Sequence, residues 1–132
     1  MVSRYVNNPF LINGLKFDLR IYVLVTSMDP LRIYVFNEGL TRFASEQYKQ
    51  NVSQQDLKAN RFVHLTNYSV NKKNSKFVYN ERADQDNVGN KWSLSALCRH
   101  FEEVGIDLQL LWSRIYDVII KAIVAVEGPI QA

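Results

Sequence analysis

The chain has 132 residues, 47% apolar and 22% charged, with a net charge of +3. That length suits one domain with a real core and is too short for two ordinary ones, and the composition is globular rather than disordered. No apolar run approaches a membrane span, and no charged-then-apolar start resembles a secretory signal. The single cysteine, Cys98, excludes an internal disulfide and a cysteine-rich zinc site, and it fits a reduced, intracellular setting. The mild basic excess tolerates an acidic partner without implying nucleic acid.

In chain order, residues 1–15 read as extended and then turning, with Pro9 biasing Asn8 away from helix and Asn13-Gly14 as a turn signal. Residues 16–25 follow as a strand. Phe17, Leu19, Ile21, Val23 and Val25 alternate with Lys16, Asp18, Arg20, Tyr22 and Leu24. Period two puts Lys16, Asp18 and Arg20 on one face. Buried charges are costly unless paired or used, so this row is either a surface ladder or the floor of a charged site. Residues 27–30 make a tight connection, 32–36 a second strand, Glu38-Gly39 a break and 40–44 a short third piece. Short connections predict an antiparallel meander, on which Arg42 can approach the charged row; Gly39 leaves the face of Arg42 open, because it can introduce a bulge.

Residues 45–50 are expected as one helical turn and 51–61 as an exposed polar loop. Residues 62–70 (Phe62-Val63-His64-Leu65-Thr66-Asn67-Tyr68-Ser69-Val70) begin as an alternating strand and end in side-chain donors and acceptors. Residues 71–91 lack periodicity and read as a mobile loop. Two helices follow. Ser93 is the N-cap of the first, Leu94, Leu97, Phe101 and Val104 have helical spacing, and Gly105 stops it. Asp107 caps the second, whose Leu111, Ile115, Val118, Ile119, Ala122 and Val126 form an apolar stripe ending at Gly128-Pro129.

Phosphate-loop, dinucleotide, zinc-protease and serine-elbow motifs are all missing. His100, inside the first long helix, reads as solvent-facing rather than as a ligand, while His64 stays open between structural and functional roles. Arginine presents a planar fork of donors matched to carboxylate or phosphate, so Arg20 and Arg42 either hold an anionic substrate or form surface ion pairs. Thr66-Asn67 either binds a ligand or forms a turn through its own side chains.

Ser3-Arg4-Tyr5-Val6-Asn7-Asn8-Pro9-Phe10-Leu11-Ile12, Lys16-Phe17-Asp18-Leu19-Arg20, Glu38-Gly39-Leu40-Thr41-Arg42, His64-Leu65-Thr66-Asn67-Tyr68-Ser69-Val70 and Gly89-Asn90-Lys91-Trp92-Ser93 occur in this order. Together they resemble the tubulin tyrosine ligase-like family in its polyglutamylase branch, over nearly the whole chain. The resemblance implies an α+β, ATP-grasp-like fold, an antiparallel β-meander plus two C-terminal helices. It also implies an ATP- and Mg2+-dependent ligase that joins free glutamate to γ-carboxylates in tubulin C-terminal tails, with α-tubulin favoured. Microtubules would be the partner, the cytoplasm and cytoskeleton (cilium or basal body included) the location, and neither nucleic acid nor membrane insertion would be involved. Position by position, it places Lys16, Asp18, Thr66 and Asn67 against ATP and the backbone of Ser3, Arg4, Tyr5 and Val6 around adenine. Arg42 would take the carboxylate of incoming glutamate, with Tyr68, Ser69 and Lys91 around it, and Arg20 would take phosphate or substrate carboxylate; Arg20 and Arg42 are the catalytic candidates. The magnesium ligands and an N-terminal lobe of the family pattern are expected outside these 132 residues, and the chain alone is expected to be inactive. A glycine or tyrosine ligase of the same family, or a non-catalytic module whose Lys72–Lys76 loop grips acidic tails, are the alternatives.

Overall fold

The computed structural model describes residues 2–49, 60–79 and 86–131. Four strands, β1 (Leu11–Ile12), β2 (Leu15–Met28), β3 (Leu31–Phe43) and β4 (Lys91–Ser93), form one antiparallel sheet in the order β1-β2-β3-β4. Two four-residue helices, α1 (Arg61–His64) and α2 (Tyr68–Asn71), precede β4, and two longer ones, α3 (Leu94–Glu103) and α4 (Leu108–Gln131), follow it. The fold is α+β, as expected. Asn13 and Gly14 both take positive φ (51° and 72°), the backbone that a tight turn between β1 and β2 requires and that Asn-Gly adopts at low cost.

The alternation of β2 places Phe17, Leu19 and Ile21 against a core of Ile12, Phe43, Trp92, Leu94, Ala96, Leu97 and Phe101. Phe43 and Trp92 meet at 4.8 Å between ring centroids, so β3 and β4 are joined by aromatic contact as well as by backbone pairing. The Ser93 hydroxyl accepts from the Ala96 amide at 3.0 Å and caps α3 as predicted; Gly105, at φ 79°, follows its end. Asp107 Oδ1 accepts from the Leu110 amide at 3.0 Å and caps α4. Among the described residues, α4 packs against the core through its start, at Leu108, Leu111 and Trp112.

Several expectations are corrected. Residues 32–36 and 40–44 are not separate strands: β3 is continuous, and its pairing with β2 shifts register twice, between the Ile21–Gly39 and Val23–Val35 pairs and again between Val25 and Ser27. Gly39 marks close approach rather than a break, since a Cβ there would lie 2.4 Å from the Arg20 carbonyl oxygen. Residues 62–70 are not a strand, because four alternating residues do not separate a strand from a single helical turn. The turn expected at 45–50 does not form over its described part, since Ser45 and Glu46 both donate their amides to the Phe62 carbonyl at 3.1 Å. The described part of the expected mobile loop is tied down: Lys76 reaches Glu46 at 2.7 Å, and Val78 and Asn90 exchange bonds. Residues 51–59 of the polar loop lie outside the described residues. α4 runs past Gly128 and Pro129 to Gln131, with Pro129 inside its last turn. His100 is half-buried rather than solvent-facing, its ring 5.6 Å from that of Trp92.

Candidate active site

The face of the sheet opposite the core carries the charges. Asp18 on β2, Arg42 on β3 and Lys91 on β4 are register partners, so one row crosses three strands; Arg20 lies two residues along β2 on the same face. The row is an ion-paired network. Arg42 donates from Nε to Asp18 Oδ1 at 2.9 Å and from Nη2 to Oδ2 at 2.7 Å, a bidentate pair, and Arg20 Nε approaches Oδ2 at 3.1 Å. Burial opposes charge on Asp18, but Arg42, Arg20 and a hydrogen bond from the Thr66 side chain outweigh it and hold the carboxyl below its ordinary value. The bonds to Asp18 in turn raise Arg42 against a smaller opposing effect of burial. The Arg42 side chain is 15% exposed and that of Arg20 51%, so the first is fixed and the second faces solvent.

Asp18 therefore uses both oxygens inside the protein. The guanidinium of Arg42 has five N–H groups and spends two of them on Asp18. The arrangement orients Arg42 while leaving donors over.

Around the row stand the other candidates. Lys16 turns to one side, its Nζ donating to the His64 carbonyl at 2.9 Å and to the Tyr5 hydroxyl at 3.3 Å. The Tyr5 hydroxyl also meets His64 Nδ1 at 2.8 Å. Burial, and then the charge of Lys16, push the His64 imidazole below its ordinary value and favour the neutral ring. Of the stretch Ser3, Arg4, Tyr5 and Val6, all exposed, Tyr5 is the residue whose side chain reaches Lys16 and His64. Thr66 is buried beside Asp18, whereas Asn67, Tyr68 and Ser69 are exposed. The Lys91 ammonium lies 3.8 Å from the Tyr68 ring centroid and that of Lys72 5.4 Å, so α2 presents an aromatic ring between two cations.

Two residues that sequence reasoning did not single out hold these elements in place. Glu38 Oε1 accepts from the amides of Gly39 (2.8 Å), Leu94 (2.8 Å) and Ser95 (3.2 Å), and Oε2 accepts from the Ser95 hydroxyl at 2.8 Å. It joins β3 to the start of α3, and despite a desolvation cost those donors keep its carboxyl below the ordinary value. Asn71, fully buried, ties α2 to the residues after β3. Nothing local announces either role, because the α3 partners of Glu38 are 56 and 57 residues away and Ser45 lies 26 residues from Asn71.

Comparison with known proteins converges on one group. A sequence profile described as the tubulin-tyrosine ligase family matches residues 1–132. The chain belongs to the tubulin-tyrosine ligase family. It is 48% identical over 130 residues to the tubulin polyglutamylase ttll-5 of Caenorhabditis elegans, covering 98% of this chain and 18% of that protein. It is 50% identical over 129 residues to the mouse tubulin monoglutamylase TTLL4, covering 96% of this chain and 10% of that protein. A probable beta-tubulin polyglutamylase of Tetrahymena thermophila is 46% identical over 127 residues, with coverage of 96% and 10%. The chain thus spans a fifth or less of each of these tubulin-tyrosine ligase family relatives.

Proposed function

We propose that the protein carrying this chain is an ATP-dependent ligase that adds glutamate to γ-carboxylates of glutamates in tubulin tails. The observation that carries this reading is the Asp18–Arg42–Lys91 row with Arg20 and Lys16 beside it. Two arginines pair with one carboxylate, and Lys16 and Lys91 stand beside them with no carboxylate partner among the described residues, so the surplus charge suits anionic ligands. The relatives named as tubulin glutamylases supply the substrate class.

The donor set fits a nucleotide. Lys16 and Arg20 offer charge to phosphates, and Asn67 offers a neutral amide donor, while the Thr66 hydroxyl, its one proton given to Asp18, offers a lone pair. ATP, when bound, supplies a phosphoryl group that converts the acceptor carboxylate to an acyl phosphate, from which the amine of glutamate displaces phosphate. Arg42, held by Asp18, presents its remaining N–H groups to the carboxylate of the incoming glutamate, with Lys91 and Tyr68 alongside. Because these cations are fixed before charge develops, they stabilise the transition state without reorganising. Asp18 acts here chiefly as the orienting group for the two arginines; contact with a ribose or an amine would require it to release one of them. Arg20, the more exposed arginine, remains the candidate for phosphate or carboxylate. Magnesium finds no ligand set among the described residues, where no three His, Cys, Asp or Glu side chains come together.

A tubulin-modifying ligase works in the cytoplasm on the cytoskeleton, microtubules and cilia included. No helix among the described residues is long and apolar enough to cross a membrane. The test supplies labelled glutamate, glycine or tyrosine with ATP to the protein carrying this chain and scores incorporation into α- and β-tubulin separately. ATP-dependent glutamate incorporation, with α-tubulin preferred, is expected. Incorporation of glycine or tyrosine instead would overturn the amino-acid assignment. Salt-sensitive tail binding without ATP binding would replace the ligase with a binding module.

A further inference from the structure

Asn71 is fully buried, and both ends of its amide are used. Its Oδ1 accepts from the Ser45 amide at 3.0 Å and from the Ser45 hydroxyl at 2.7 Å. Its Nδ2 donates to the Leu65 carbonyl at 2.7 Å and to the Asn67 carbonyl at 3.0 Å. The two carbonyls bracket Thr66, and Ser45 lies two residues beyond the end of β3, the strand that carries Arg42. One side chain thus bonds the Thr66–Asn67 segment on one side and the Arg42 strand on the other. The segment between α1 and α2 has little regular structure to hold it, so its position depends on such side-chain bonds.

We propose that Asn71 is a positioning residue for nucleotide binding, setting where Thr66 and Asn67 stand relative to the Asp18–Arg42 pair. This rests on the ATP reading of the site given above. A buried amide satisfied at both ends is costly to unbalance. Asn71→Asp keeps shape and acceptors but turns a carboxylate oxygen towards two carbonyls in place of two N–H donors. Asn74 provides an internal control. It belongs to the same network, donating to Ser45 Oγ at 3.1 Å and Glu46 Oε1 at 3.0 Å, but its side chain bonds neither Leu65 nor Asn67.

The experiment measures KM for ATP and for glutamate, and amide hydrogen exchange over residues 65–67, in the protein carrying this chain. Asn71→Asp is expected to raise the KM for ATP by about 10-fold with a smaller effect on glutamate, since misplacing a binding group by about 1 Å is costly. It should also speed exchange at 65–67, and Asn74→Asp should do neither. If Asn71→Asp does not fold, Ser45→Ala, which removes one bond from Oδ1, should give the same pattern more weakly. Unchanged KM for ATP and unchanged exchange in folded Asn71→Asp overturn the proposal. So do equal effects on the two substrates from both asparagines, which would mark a merely structural network. Absence of ATP binding by the wild type instead overturns the site reading, and exchange at 65–67 still decides whether Asn71 positions that segment.

Discussion

The β2–β3 hairpin has two halves that share one apolar face and differ in the other face and in their surroundings. Near its β1 end, Phe17, Leu19 and Ile21 pack on α3, and the opposite face carries Asp18, Arg20 and Arg42. Beyond the first register shift, Tyr22, Leu24, Tyr34 and Phe36 are each more than half exposed, and Tyr22-Val23-Leu24-Val25 carries apolar side chains on both faces. Alternating hydrophobicity therefore specifies a strand with two distinct faces, but whether a face is covered depends on what else packs there. The core of α3 packs on the near half, while Val35 and Phe36 of the far half only border an open cleft with α3 and α4, and the ion-paired row forms where the sheet is backed by core.

Substitutions along the hairpin test that contrast. The largest effect is expected at Phe43, 3% exposed between Phe17 and Trp92. Phe43→Ala should cost about 3–5 kcal/mol in denaturant unfolding; a cost below about 1 kcal/mol would show that the near half is not the anchored one. On the charged face, Arg42→Ala leaves Asp18 without its bidentate partner and should lower kcat/KM for glutamate by about 100-fold. An undiminished rate in a folded variant would mean that the row is only a surface ladder.

At the junction of the halves, Gly39→Ala pushes a methyl group against the Arg20 carbonyl and should destabilise by about 1–3 kcal/mol, read as a lower thermal midpoint. Acid unfolding sharpens the comparison further. The Asp18 carboxyl titrates below its ordinary value when folded, so it binds protons less readily folded than unfolded. Its contribution is complete above the unfolded value, about 4, and is lost as pH falls through the folded value. Asp18→Asn should flatten the loss of stability below pH of about 4, leaving the share due to Glu38 and Glu46, which are also depressed. In the far half, Leu24→Ala should change stability by no more than about 0.5 kcal/mol. A cost approaching that of Phe43→Ala would mean that this face is covered in the working protein.

Much of the fold was legible. The charges of β2, the Asn13-Gly14 turn, the Ser93 and Asp107 caps and the stop at Gly105 each depend on neighbours within a few residues, where propensity and geometry act directly. Residues 62–70 were misread because their order comes from side-chain bonds such as those of Asn71, which are invisible to periodicity. Glu38 was read as a break because its amide partners on α3 are remote in sequence. Of the candidate site, the shared face of Asp18 and Arg20 was readable from alternation, and the ligands proposed for that face come from the family resemblance. The face of Arg42 stayed open, since a bulge at Gly39 reverses it or not according to how many residues it absorbs.

By itself, then, the sequence determined a strand with Lys16, Asp18 and Arg20 on one side, two capped helices and membership of a ligase family. Only the tertiary structure decided that Arg42 and Lys91 stand in register with Asp18 and that Asp18 is a clamp for two arginines. It also decided that Thr66 is held beside them through Asn71. The physical reason is range: turns, caps and alternation are settled by adjacent residues. A charged row across three strands exists only once the Gly39 register and the position of β4 have been set by packing on a common core.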